Sequence, residues 1–212
     1  MQAVVFDVGG VLAVICHTWG DALDAAGVLG RASVREEPHQ ACPAFDPYQA
    51  GQLSQDAYLQ ALAAYLECTV PEAMRVHEHI LVGPTLGIER IIDELHARGV
   101  ITACLSNTNE PHFRAMLSGR FPAIDKLQHK FVSHLLGMEK PHPAIYCHVA
   151  ETLSLDPESI LFFDDNLANV LGALKCGWAA HHVVVDQDPA QQIRQKLTQS
   201  SLLQAASFPE LL

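Results

Sequence analysis

Several things are scarce or missing in this chain of 212 residues, and each absence narrows what it can be. It has no block rich in Lys and Arg. Thirteen basic residues stand against twenty-four acids, a formal charge of −11 at pH 7. A nucleic-acid backbone or an anionic membrane is therefore not expected as a partner. A small anionic ligand remains open, because a metal ion can invert the local field. The six cysteines (Cys16, Cys42, Cys68, Cys104, Cys147 and Cys176) form no CxxC pair. Four of them sit in apolar runs, so buried, reduced thiols are the expectation. No long apolar run opens the chain. Val8 to Cys16 is too short to span a bilayer, an acid at Asp7 interrupts it, and no basic segment precedes it. Neither a membrane span nor a signal peptide is expected, and the reading is a soluble, cytoplasmic protein. Internal repeats and low-complexity tracts are also lacking.

What is present suits a packed core: 49% apolar and 17% charged residues exclude a disordered chain. The length suggests one to two domains. Val4-Val5-Phe6 is a short apolar run without alternation, as in a strand buried on both faces, and it stops at Asp7 and Gly9-Gly10. Ile88, Ile91, Ile92 and Leu95 have helical spacing, with Gly99 as a stop. Further strands are read at 100–105, at Phe131-Val132-Ser133, at 160–163 and at His182 to Val185, with helices from Ile145 to Leu153 and through Leu171 and Leu174 to Gly177. Strands alternating with helices predict an α/β, doubly wound parallel sheet, a Rossmann-like core.

Residues 14–83 break this rhythm. They show no convincing strand but two marked helix starts, at Ser54 and at Thr69-Val70-Pro71-Glu72, the latter with capping-box spacing. Glu37 to Gly51 reads as loop. The expectation is a core formed by residues 1–13 and 84–212, with residues 14–83 inserted as a helical cap.

In an open parallel sheet, ligands bind beyond the carboxyl ends of the strands. This sequence places Asp7 after the first strand, Ser106 and Asn107 after the second, Lys140 after the third, and Asp164 and Asp165 after the fourth. Each alone has an ordinary structural reading, as a turn, a cap or a solvated helix start. Their joint placement is what points to chemistry. Crowded carboxylates repel one another unless a cation neutralises them, and Mg²⁺ suits an all-oxygen cluster. A hydroxyl, backbone amides and an ammonium suit a phosphate, and an Asp aimed at that phosphate can attack it. Phosphoryl transfer is the expectation. His77-Glu78-His79 and His181-His182 are poor metal pairs, because their spacing on a helix or at a strand start separates the side chains.

Four segments then carry a family resemblance: Phe6-Asp7-Val8-Gly9-Gly10-Val11-Leu12, Leu105-Ser106-Asn107-Thr108-Asn109, Gly137-Met138-Glu139-Lys140-Pro141 and Phe162-Phe163-Asp164-Asp165-Asn166-Leu167-Ala168-Asn169. In this order, over nearly the whole chain, they resemble the haloacid dehalogenase-like hydrolase superfamily, in the branch with a helical (type 1) cap between the first and second motifs. The last three look most like those of bacterial glucose-1-phosphate phosphatase-like proteins. The resemblance implies Asp7 as nucleophile and Mg²⁺ ligand, Ser106 and Asn107 as phosphate holders, and Lys140 as partner of the nucleophile and the phosphoryl oxygens. It implies Asp165 as a metal-binding acid, with Asp164 supporting it or serving as an alternative ligand.

One position departs from the pattern. Phosphatases of the superfamily usually carry an acid–base Asp two residues after the nucleophile, where its carbonyl also binds the metal; here that residue is Gly9. The carbonyl survives and the proton donor does not, a loss of about 10²–10⁴-fold in rate. An acidic leaving group, such as the anomeric hydroxyl of a sugar 1-phosphate, suffers least. His17, Trp19 and His142 are candidates to replace the missing acid. The expected function is a Mg²⁺-dependent phosphatase of small phosphorylated metabolites. The rival readings are a metal-independent dehalogenase and a homologue that binds a phosphorylated ligand or a protein without turnover. Substrate identity and oligomeric state are not legible.

Overall fold

The structure, a computed structural model, describes residues 1–204. Its first half runs β1 (Ala3–Phe6), β2 (Ala13–Ile15), α1 (Trp19–Ala26), α2 (Phe45–Gln49), α3 (Gln55–Leu66), α4 (Val70–Glu78), β3 (Leu81–Pro84), α5 (Ile88–His96) and β4 (Ile101–Ser106). Then come α6 (Glu110–Ala115), α7 (Pro122–Lys126), β5 (His129–Val132), α8 (Ser133–Leu136), α9 (Pro143–Leu153), β6 (Ile160–Asp164), α10 (Leu167–Lys175), β7 (Ala179–His182) and α11 (Pro189–Gln199).

Five strands form a parallel sheet in the order β5-β4-β1-β6-β7. β1 is central because all four of its residues are buried, two toward each face. Val4 and Phe6 pack into one layer with Ile88, Ile91, Ile92 and Leu95 of α5 and Ile193 and Leu197 of α11. Ala3 and Val5 pack into the other with Ile145, Tyr146 and Val149 of α9, Ala173 of α10 and Trp178. Two covered faces explain why the strands read as unbroken apolar runs. The chain builds outward from β1 through β4 to β5, then returns to β1's other side with β6. The crevice at the carboxyl end of β1 is therefore the switch point where such sheets take ligands.

A separate apolar cluster is drawn from residues 16–80, with Trp19, Phe45, Tyr58, Leu62 and Leu66 inside it. Ser54 caps α3 by accepting from the Ala57 N–H at 3.2 Å, and Thr69 with Glu72 forms the expected capping box on α4. A second capping box, Thr18 with Asp21, starts α1; the sequence reading did not mark this start.

Four expectations need correction. The insert is not strand-free, because β2 and β3 pair antiparallel where the chain leaves and re-enters the core. These strands are three and four residues long, and one contains Gly83 and Pro84, so neither propensity nor periodicity marks them. Residues 37–51 are not all loop, since α2 lies within them. The third core strand is shifted toward its N-terminus, to His129–Val132, and Ser133 opens α8. The fifth strand is Ala179–His182, so His181 and His182 lie at its end rather than its start. Its ladder partner β6 stops at Asp164, which pairs with His182. Val183 still donates its N–H to the Asp164 carbonyl at 2.9 Å, but Val184 and Val185 have no strand to join and are exposed. β-branched propensity pointed at the valines; the available partner decided otherwise.

All six cysteines are free thiols. Cys16, Cys42 and Cys104 are buried as expected, whereas Cys147 is exposed. Among the described residues no helix is long and apolar enough to cross a membrane.

Candidate active site

Asp7 stands at the carboxyl end of the central strand, its N–H donating to the Phe163 carbonyl at 2.7 Å. The chain then turns sharply. The Val8 carbonyl accepts from the N–H groups of Leu12 and Ala13 at 2.9 and 2.8 Å. Gly10, at φ +70°, lies where a Cβ would come within 2.5 Å of Asp165 Oδ2. Only glycine lets the loop after Asp7 lie this close to the carboxylate after β6.

Lys140 reaches the same point from the other side of the crevice. The Asn107 side chain grips its backbone at both ends: Nδ2 donates to the Lys140 carbonyl at 2.8 Å, and Oδ1 accepts from its N–H at 2.9 Å. The ammonium donates to Asp7 Oδ1 at 2.8 Å and to Asp164 Oδ2 at 2.6 Å. Burial works against this charge, but Asp164 and Asp7 outweigh it and hold the ammonium above its ordinary range.

The two acids after β6 differ in environment. Asp164 is fully buried, and both its oxygens are occupied. Besides Lys140 it accepts from the Asn166 N–H at 2.7 Å and from Asn169 Nδ2 at 3.0 and 3.1 Å. Asp165 is half-buried and borders the cavity; its carbonyl accepts from His182 Nε2 at 2.8 Å, while its carboxylate takes no hydrogen bond from another of the described residues. Burial pushes the Asp7 carboxyl up; Lys140 opposes this, and the charges of Asp164 and Asp165 add to it. Burial and the charge of Asp164 raise Asp165 likewise.

One oxygen from each of Asp7, Asp164 and Asp165 lies within 4.8 Å of the others. Three such carboxylates share one lysine, so the cluster carries excess negative charge in an oxygen-only donor set. These residues fit a hard divalent cation such as Mg²⁺.

A cavity of about 390 Å³ opens above them. Asp7, Gly9, Ser106, Asn107, Lys140 and Asp165 all border it, and Asp164 lies beneath. Of the three candidates for the missing acid, His17 borders the cavity, Trp19 is sealed in the insert, and His142 caps α9 by accepting from the Ala144 N–H. His77 is buried between Tyr58 (2.9 Å) and Asn109 (3.1 Å), while His79 is exposed. The sequence reading missed several contributors. Asn169 orients Asp164, and His39, Asp46, His112 and Glu139 border the cavity. Asn169 could have been found from its spacing, five residues after Asp164 and on the first turn of α10. His39 and Asp46 come from the insert, Glu139 from the loop before α9 and His112 from α6, and nothing in the sequence shows that these side chains reach the cavity.

The insert is tied to the crevice by polar groups. His112 Nε2 donates to the His77 carbonyl at 2.7 Å, and the two rings stack at 4.1 Å. Ser133 Oγ donates to the Gln49 carbonyl at 2.6 Å and accepts from the Thr108 N–H at 2.9 Å.

A family model for haloacid dehalogenase-like hydrolases matches residues 1–177. The chain belongs to this family. Among curated proteins, this hydrolase is 27% identical over 186 residues to a drimenol cyclase from Aspergillus calidoustus, covering 84% of the chain and 33% of that protein. The chain spans about a third of the length of the curated relatives it matches. Among solved structures, a HAD family enzyme from Bacteroides thetaiotaomicron in complex with magnesium and inorganic phosphate superposes with a TM-score of 0.75 at 20% identity, covering 92% of this chain and all of that one (100%). An L-2-haloacid dehalogenase from Xanthobacter autotrophicus, with chloropropionic acid covalently bound, superposes with a TM-score of 0.59 at 20% identity, covering 96% of this chain and 84% of that one. At these identities the likeness is one of fold.

Proposed function

We propose that this hydrolase is a Mg²⁺-dependent phosphatase of small phosphorylated metabolites, sugar phosphates among them, working through an aspartyl-phosphate on Asp7. The observation that carries the reading is the buried Lys140 ammonium bridging Asp7 and Asp164 inside a cluster of three carboxylates. Magnesium and phosphate bound together in the Bacteroides thetaiotaomicron neighbour support it.

In this reading Asp7, Asp165 and the Gly9 carbonyl would hold the metal, and Asp164, already hydrogen-bonded at both oxygens, orients Lys140 and Asn169. Bound Mg²⁺ supplies Lewis-acid neutralisation of the phosphoryl oxygens. A carboxylate oxygen of Asp7 attacks phosphorus, and the bond from phosphorus to the leaving oxygen breaks with its electron pair. Lys140 balances charge on the phosphoryl group, and Ser106 with the Asn107 main chain holds it, the Asn107 side chain being engaged on Lys140. Water then attacks phosphorus, releasing inorganic phosphate and the Asp7 carboxylate. Residues 14–83 act as the cap, excluding water and shaping the leaving-group side. Gly9 offers no proton to the leaving oxygen, so turnover favours leaving groups that depart as stable anions.

Gly9 also supports a second reading, a homologue that binds a phosphorylated ligand without turnover. A Cβ at this position would lie 3.0 Å from Ile15 Cδ1, so an acid here would require the tip of Ile15 to shift by a few tenths of an ångström. The test is phosphate release from sugar phosphates, nucleotides and acyl phosphates, with Mg²⁺ or EDTA, beside Asp7→Asn. Metal-dependent release that falls by about 10⁴-fold or more in the variant is expected, as for loss of a nucleophile. Silence across the panel, with ligands still raising the melting temperature, would establish the binding protein. Halide release from haloacids in EDTA would establish a dehalogenase.

A further inference from the structure

The thiols of this chain fall into two groups. Cys16, Cys42 and Cys104 are buried, and Cys68 is half-buried against the insert. Cys147 and Cys176 lie on the outside of the core, the first exposed and the second half-buried. Cys147 is on α9, Cys176 ends α10, and neither borders the cavity above Asp7.

Packing brings these two together. Gly172 lets α10 lie close against the start of α9: a Cβ there would come 2.9 Å from the Pro141 carbonyl and 3.0 Å from Tyr146 Oη. Tyr146 Oη also donates to the Asn169 carbonyl at 2.8 Å, which fixes the two helices side by side. The Cys176 N–H donates to the Gly172 carbonyl at 3.2 Å, so Cys176 stands one turn on from Gly172, over the same neighbour. Its Sγ lies 4.0 Å from the Pro143 carbonyl. Inside an α-helix that carbonyl accepts from the N–H four residues on, which here is Cys147. One oxygen therefore sits between the Cys147 backbone and the Cys176 sulfur. In keeping with this, burial and then the neighbouring Cys147 sulfur push the Cys176 thiol up.

We propose that Cys147 and Cys176 form a redox modification site, an accessible thiol and its resolving partner that close to a disulfide between α9 and α10 when a low-molecular-weight disulfide supplies the oxidant. The Cys147 thiolate attacks one sulfur of the small disulfide, whose S–S bond breaks and releases one small thiolate. The Cys176 thiolate then attacks the Cys147 sulfur and displaces the second. Two protein thiols become one disulfide, and the small disulfide takes up both electrons and both protons as two thiols. Cys147 acts first because exchange requires access, and it borders a surface cleft of about 400 Å³. The bond closes a loop of about 30 residues that contains β6 with Asp164 and Asp165, and so ties the frame of the site without touching its side chains.

The test treats the full chain with hydroxyethyl disulfide, uncharged because Glu151 and Asp156 border the same cleft. Free thiols are then blocked and the peptides mapped by mass. In the wild type a peptide pair linked through Cys147 and Cys176 is expected, lighter by two hydrogens than the reduced form and reopened by dithiothreitol. Closing this loop should raise the melting temperature by about 5–10 °C. Cys176→Ser should stop at one mercaptoethanol on Cys147, and Cys147→Ser should slow reaction at Cys176 by about tenfold or more. A wild-type chain that stays reduced, stops at the Cys147 adduct or links another pair would overturn the proposal. A bond that forms but lowers the melting temperature would also overturn it, because the helices would then have been forced out of their packing. None of these readouts depends on the phosphatase reading.

Discussion

Replacing His112 with Gln tests whether the polar tie between insert and core makes this hydrolase acid-sensitive. His112 is buried, donates to the His77 carbonyl at 2.7 Å and stacks on the His77 ring at 4.1 Å. Burial pushes its pKa down to about 4, against about 6.5 in an unfolded chain. Between those values the unfolded state binds a proton that the folded state refuses, so stability falls as pH drops. For this one ring the loss between about pH 7.5 and about pH 5 is about 2 kcal/mol. At neutral pH the variant is the less stable protein, having lost a buried hydrogen bond worth about 1–3 kcal/mol. On acidification the wild type alone carries the His112 penalty. His77 stays neutral in both proteins, because burial is the largest cause of its lowered pKa. The gap between wild type and variant should therefore close by about 2 kcal/mol, or about 4–8 °C in melting temperature. Urea unfolding of both proteins at three pH values reads this difference directly, and groups common to the two proteins cancel. A gap that stays constant from neutral to acid pH would refute the reasoning, since it would mean that His112 takes up its proton equally in both states.

Two further substitutions probe the catalytic end. Lys140→Met leaves Asp7 and Asp164 buried side by side without a cation, which should cost about 3–5 kcal/mol and about 10 °C in melting temperature. Added Mg²⁺ should restore part of that loss by binding the folded state, and a variant as stable as the wild type in EDTA would show that the charges are not coupled as described. Gly9→Asp supplies the absent acid, but its Cβ would meet Ile15 Cδ1 at 3.0 Å. Paired with Ile15→Ala, it should raise turnover of alkyl phosphates about 10²-fold or more while changing acyl phosphates little. An equal gain on both substrate classes would argue against proton donation as the missing element.

The parts of the site that were legible in the sequence lie where a buried strand ends. β1, β4 and β6 are buried on both faces, so the polar residue at or just past the end of each marks the crevice, and Asp7, Ser106 and Asp164 occupy those places. Direction was fixed there by the pleat and the parallel register. Lys140 was legible only from its sequence context; what places its ammonium is the Asn107 bracket, formed across 33 residues of chain. The open choice between Asp164 and Asp165 could not be decided from adjacency. In the proposed reading it turns on which carboxylate is already hydrogen-bonded, and Asp164 accepts from Asn166, Asn169 and Lys140 together. The insert behaved differently. Its helix starts could be read because capping is local, as at Ser54 and Thr69. Which of its side chains reach the cavity could not, because that depends on how the insert seats on the core. The seating is set by contacts with no sequence signature: Ser133 to the Gln49 carbonyl, His77 to Asn109, and a three-residue strand paired with one that contains Gly83 and Pro84. Under the proposed function, leaving-group recognition would fall to the insert, whose seating depends on tertiary contacts rather than on local sequence. The phosphoryl end is set by strand termini that the apolar pattern already locates.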